Sequence, residues 1–167
     1  MTSLRFLPID IKQDFETCVF MRRMAFCASF ESGDTRFEEE YGPESHLYRQ
    51  KLQELMAVDP AGFVHVWRRE EIVGQLEMRL LQNKGIGYIH LFALRPDVQG
   101  QGYGDALQEF ASSFFRERGV DRVQLSVSPR NQRALAYYRK HGWRDCGLRP
   151  GFPEVHLMEL SLADDSM

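Results

Sequence analysis

Gln99-Gly100-Gln101-Gly102-Tyr103-Gly104 stands between an apolar run, Tyr88 to Leu94, and a strongly periodic segment, and its reading decides the fold. Downstream of it Tyr103, Ala106, Leu107, Phe110, Ala111, Phe114 and Phe115 recur at helical spacing as one apolar stripe, and Gly119 supplies the stop. The helix therefore begins at the glycines. Its first backbone N–H groups have no partner inside the helix, glycine lets a ligand approach the main chain closely, and the helix dipole favours negative charge there. Strand, glycine turn and helix in that order form a phosphate-binding arrangement.

Spacing separates the glycine-turn chemistries. A P-loop needs Gly-Lys-Ser/Thr, but Asp105 and Ala106 follow Gly104, and Gly100, Gly102 and Gly104 stand in the wrong register for a dinucleotide fingerprint. The stretch matches Q/R-x-x-G-x-G/A through Gln99, Gly102 and Gly104, after a strand that ends at Leu94 with Pro96 two positions on. A second segment, Asn131 through Ala134, Tyr138, Gly142 and Trp143, reads N-x-x-A-x-x-x-Y-x-x-x-G-[F/W]. In these two motifs and their order the chain resembles the GCN5-related N-acetyltransferases (GNAT), most specifically from Gly74 to Trp143.

The resemblance implies an α/β (α+β) GNAT fold: a mixed, mostly antiparallel sheet of about seven strands, splayed between strands 4 and 5 and flanked by about four helices. It implies acetyl-CoA as acyl donor, with no metal, and a primary amine of a small molecule or peptide as acceptor, which attacks the thioester directly in a ternary complex. The main chain of Gln99, Gly100, Gln101, Gly102, Tyr103 and Gly104 would take the pyrophosphate. Phe92, Ala93 and Leu94 would pair with the pantetheine arm and offer an oxyanion N–H, and Asn131 would bond the arm as well as cap its helix. Tyr138 stands at the family's proton-donor position. The alternative is an acyl-CoA-binding sensor or partner subunit that keeps recognition without turnover.

The proton on the acceptor is a separate matter, because an alkylammonium must lose it before attack. The family's histone-type members place a Glu where this chain has Tyr88. His90, two residues on, and Glu77 on the neighbouring strand are the candidate bases, with water as the third route. Glu38, Glu39 and Glu40 are read either as a solvated charged loop or as an attraction for a cationic amine.

The 167 residues, 43% hydrophobic and 27% charged, suit one domain spanning the chain, with a frayed acidic tail over Ala163 to Met167. A net charge of −3 argues against a nucleic-acid surface, and no apolar run reaches membrane length. Cys18, Cys27 and Cys146 lack metal or disulfide spacing and read as buried thiols of a cytoplasmic protein. A homodimer is common in the family. Local patterning predicts a strand from Leu4, a helix from Lys12 to Phe30, a break at Ser32-Gly33-Asp34 with a polar connection through Pro43, and a helix from Glu44 to Ala57. Strands follow from Phe63, from Ile72, from Gly87 after a turn at Asn83-Lys84-Gly85, from Arg122, from Trp143 and from Val155.

Overall fold

A central strand that is apolar on both faces needs cover on both, and the chain supplies it in order. The computed structural model describes residues 3–82 and 85–163; the turn expected at Asn83 and Lys84 and the tail beyond Ala163 lie outside them. The elements are β1 (Leu4–Pro8), α1 (Ile11–Ser29), α2 (Gly33–Tyr41), α3 (His46–Val58), β2 (Phe63–Arg68), β3 (Glu71–Leu81) and β4 (Ile86–Leu94). After these come α4 (Tyr103–Glu117), β5 (Arg122–Val127), α5 (Gln132–Lys140), β6 (Arg144–Arg149) and β7 (Phe152–Ser161).

The seven strands form one sheet in the order β1-β2-β3-β4-β5-β7-β6. Every neighbouring pair is antiparallel except β4 and β5. That parallel ladder runs only from Ile86 opposite Arg122 to Ile89 opposite Leu125, while β4 continues to Leu94 paired with β3 alone. The sheet is therefore splayed between its fourth and fifth strands. A second irregularity sits at the same point: pairing with β3 passes from Leu91 opposite Glu77 to Ile89 opposite Met78, which leaves His90 as the extra residue of a bulge.

On one face, Leu107, Ala111, Phe114 and Phe115 of α4 pack with Leu76, Met78, Ile89, Val123 and Leu125. Burying each large side chain there contributes about 1.5–3 kcal/mol. On the other face, α1, α2 and α3 gather Phe15, Cys18, Phe37, Tyr41, Tyr48 and Leu52 into a second, aromatic-rich cluster.

The helix α2 differs from the sequence reading, which placed a break and a polar connection there. Phe37 and Tyr41, one turn apart, are 0% and 3% exposed and pack against Phe26 and Tyr48. Tertiary burial of two rings holds a helix whose acidic sequence carries little local signal. Five α-helices stand among the described residues, in keeping with the expectation of about four. The hairpin turn between β2 and β3 falls at Arg69 and Glu70, with Arg69 left-handed at φ 56°.

Candidate active site

The glycine stretch opens α4 through Gly102, which occupies the N-cap position with φ 87° and ψ 0°. An L side chain there would meet a conformational penalty of about 1–2 kcal/mol. Asp10 caps α1 and Asn131 caps α5, whose side chain accepts from the Ala134 N–H at 3.2 Å, but no side chain caps α4. The first N–H groups of α4 are thus left to other acceptors. Gly104 serves packing, because a Cβ there would lie 2.9 Å from the ring of Tyr137. Gln99 turns inward and donates its amide N–H to the Leu94 carbonyl at 2.9 Å, and Gln101 donates to the Asp97 carbonyl at 3.1 Å. The guanidinium of Arg133, which the sequence reading passed over, is the side chain nearest Gly100.

Where β4 and β5 part, a cavity of about 540 Å³ opens. Phe92, Asn131, Ala134 and Tyr138 line it, together with Tyr88, His90, Arg22, Lys51 and Arg149. Arg36 of α2 and Glu154 of β7 also line it and pair, Arg36 donating to both carboxylate oxygens of Glu154 at 2.9 and 2.6 Å. Glu40 also reaches the cavity wall, whereas Glu38 pairs with Arg23 at 2.8 Å.

Tyr138 is 7% exposed, wedged among Phe92, Tyr137 and Trp143. Its hydroxyl has no hydrogen-bond partner among the described residues. Burial, with Tyr137 beside it, pushes the phenol well above its ordinary range. Tyr137 is half-buried rather than a core residue: its ring stacks on His141 at 3.9 Å and its hydroxyl reaches Asp105.

His90 accepts a hydrogen bond at Nε2 from Arg79 Nε at 2.8 Å, and its carbonyl accepts from Arg22 at 2.6 Å. Burial, followed by the charges of Arg22, Arg79, Lys51 and Arg149, pushes the imidazole down to about 3. At neutral pH it is uncharged.

Glu77 does not join these residues at the cavity. It is 2% exposed, and its Oε2 accepts from Tyr48 at 2.6 Å and from Gln75 at 2.8 Å. Gln75 continues inward to His65 at 2.9 Å, which touches Cys18. Burial alone would lower the Arg22 guanidinium, but Glu77 together with Tyr41 and Tyr48 outweighs it and holds Arg22 firmly charged.

Sequence patterning missed Arg22, Arg149 and Ser126. Only Arg22, placed on the apolar side of α1 with Phe15, Cys18 and Phe26, left a trace: a cation on a buried face. Of the three cysteines only Cys18 is buried; Cys27 and Cys146 are exposed, contrary to the sequence reading, because they fall on the solvent side of α1 and β6. Among the described residues no group of His, Cys, Asp and Glu is placed to hold a metal ion, and no helix is long and apolar enough to cross a membrane.

The chain is similar over 85 residues, at 31% identity, to a mycothiol acetyltransferase of Streptomyces avermitilis. That match takes in 51% of this chain and 28% of the relative, so the chain spans little more than a quarter of that protein's length. In structure it is similar to the PaiA N-acetyltransferase of Thermoplasma acidophilum, crystallised in complex with coenzyme A, with a TM-score of 0.69 at 15% identity over 95% of this chain and 99% of the other. An acetyltransferase from Thermus thermophilus gives a TM-score of 0.67 at 25% identity over 97% of this chain and 100% of the other. The family model "Acetyltransferase (GNAT) family" matches residues 26–143. Well over half of the sequence is covered by that match, and the chain belongs to the GNAT acetyltransferase family.

Proposed function

We propose that the protein transfers an acetyl group from acetyl-CoA to a primary amine by direct attack in a ternary complex. One observation carries this reading: the unpaired edge of β4 beyond Ile89, the uncapped start of α4 and the unpartnered hydroxyl of Tyr138 converge on one region, two of them opening on one cavity.

Acetyl-CoA supplies an activated thioester, and the chain's own groups do the rest. The N–H groups of Gly102 to Gly104 receive phosphate charge, with Arg133 near Gly100 adding the positive charge that Gln99 lacks. The free edge of β4 from Phe92 to Leu94 aligns the donor, and a main-chain N–H near the bulge faces the oxygen on which charge develops. Tyr138, protonated throughout the working pH range, donates its O–H to the departing thiolate, and the proton released by the amine returns to the phenol through water.

His90 and Glu77 have roles other than proton storage. Nε2 of His90 is occupied by Arg79 and its basicity is low, so the neutral ring shapes the cavity. Glu77, sealed behind Arg22, fixes that cation. The positive wall then lowers the affinity of the bound amine for its proton, which leaves to water. A covalent cysteine route has no support, since Cys18 is buried with its thiol pushed up to about 12 by burial, Glu77 and Asp14, and neither Cys27 nor Cys146 lines the cavity.

Calorimetric titration with acetyl-CoA, followed by thiol release against a panel of amines, tests the reading. Binding with release supports it. Binding without release favours the sensor, and no binding removes the glycine-loop assignment.

A further inference from the structure

The cavity wall carries cations that no carboxylate among the described residues pairs directly; buried Glu77 balances Arg22 at longer range, which leaves Lys51 and Arg149 unmatched. Arg22, Lys51 and Arg149 line it, and none of the three has a carboxylate within ion-pairing distance among the described residues. Arg36, the other cation of the wall, is matched by Glu154 at 2.6 Å, which leaves exposed Glu40 as the one remaining carboxylate of the wall.

Arg149 is held in place without an anion. Its Nη1 donates to the Tyr88 hydroxyl at 3.2 Å and to Ser126 Oγ at 3.1 Å, and its guanidinium lies 4.3 Å from the centre of the Phe152 ring. Nε and Nη2 have no partner among the described residues, and a guanidinium fork with free donors matches a carboxylate in shape and charge. The phosphates of the acyl donor have their own site at the start of α4, which packs on the opposite face of the sheet from Tyr88 and Arg22.

We infer that the acceptor is an amine that also bears a carboxylate, received by Arg149 with Lys51 and Arg22 around it. This rests on the acetyltransferase reading and narrows its substrate class. A carboxylate there satisfies the free donors and balances the wall, while a second ammonium would be repelled by it.

The test uses the full chain and matched acceptors: α- and ω-amino acids, each beside its amide and its decarboxylated amine, read by thiol release from acetyl-CoA. A charged hydrogen bond contributes about 1.5–3 kcal/mol, so the carboxylate form should lead in kcat/KM by about tenfold to a hundredfold. Arg149→Gln should collapse that lead through KM of the carboxylate acceptor, with Arg149→Lys restoring part of it and the Kd for acetyl-CoA unmoved. Amides or decarboxylated amines that react as well as the acids overturn the inference while leaving the acetyltransferase reading intact. So does weakened acetyl-CoA binding in Arg149→Gln, which would assign this cation to the donor's phosphates, and so does acetyl-CoA binding with no release by any carboxylate-bearing amine. Failure to bind acetyl-CoA at all would remove the underlying reading, and this inference with it.

Discussion

The hydroxyl of Tyr88 lies 2.6 Å from Ser126 Oγ, reaching past the last rung of the β4–β5 ladder, Ile89 opposite Leu125. A side-chain bond thus continues the joint between the two strands after their backbones have stopped pairing. Arg149 closes it by donating to both oxygens, so the splay and the main acceptor-side cation share one anchor.

Tyr88→Phe removes that anchor while keeping the ring. Loss of the hydrogen bond should lower unfolding free energy by about 1 kcal/mol in urea titrations. The freed Arg149 should raise KM for the acceptor more than Kd for acetyl-CoA. Equal effects on both would mean that the pair only braces the sheet.

Gly102 is the position where conformation and charge separate cleanly. Gly102→Ala retains the length of the loop but must hold φ near 87°, and should lose about 1 kcal/mol of stability with a moderate loss of acetyl-CoA affinity. Gly102→Glu adds a like charge beside the phosphates, and calorimetry should show affinity well below that of the alanine variant. Matching affinities would argue against phosphate at this turn.

Tyr138→Phe leaves no partner unsatisfied, since its hydroxyl has none among the described residues, so stability should stay within about 0.5 kcal/mol of the parent. Turnover should fall by about tenfold to a hundredfold, at the low end of general acid catalysis because a thiolate leaves readily. Acetyl-CoA affinity should hardly change. A rate equal to the parent's across pH would remove Tyr138 as proton donor.

Much of this arrangement is legible in the residues. The stripe from Tyr103 to Phe115 and the spacing from Asn131 to Trp143 are strictly periodic, and periodicity survives whatever packs against it. Helix α2 is not legible, because Phe37 and Tyr41 declare their burial only once α1 and α3 stand around them. Arg149 is less legible still: nothing near it in sequence shows that β6 brings it to Tyr88, 61 residues away. The bulge at His90 and the end of the β4–β5 ladder are properties of pairing, which a strand pattern does not encode.

Buried His65 and half-buried His90 give acid sensitivity of a definite sign. His90 is held near 3 in the folded chain against its ordinary 6.5, and burial lowers His65 in the same direction. Below pH 6.5 the unfolded chain binds protons that the folded one refuses. The contribution of each to stability is complete above that pH and falls as pH drops, for His90 until about 3, by at most about 1.4 kcal/mol per pH unit for each group. His90→Gln should flatten part of this dependence in urea titrations at about pH 7 and about pH 5, either side of the ordinary imidazole value, with His65 supplying the rest. The pH–rate profile should show no inflection near 6.5 from His90, and one that vanishes in His90→Gln would restore this ring as a base.

Glu77→Gln distinguishes a base from a positioning residue. The glutamine oxygen can still accept from Tyr48 and Gln75, but the charge that attracts Arg22 is gone. Leaving that cation less compensated should cost about 1–3 kcal/mol in unfolding experiments. Arg22 also donates to the carbonyl of His90 at the bulge, so a looser Arg22 should raise KM for the acceptor. The shape of the pH–rate profile should survive, because Glu77 handles no proton of the reaction. Loss of the acidic limb of kcat/KM with stability intact would instead make Glu77 the base.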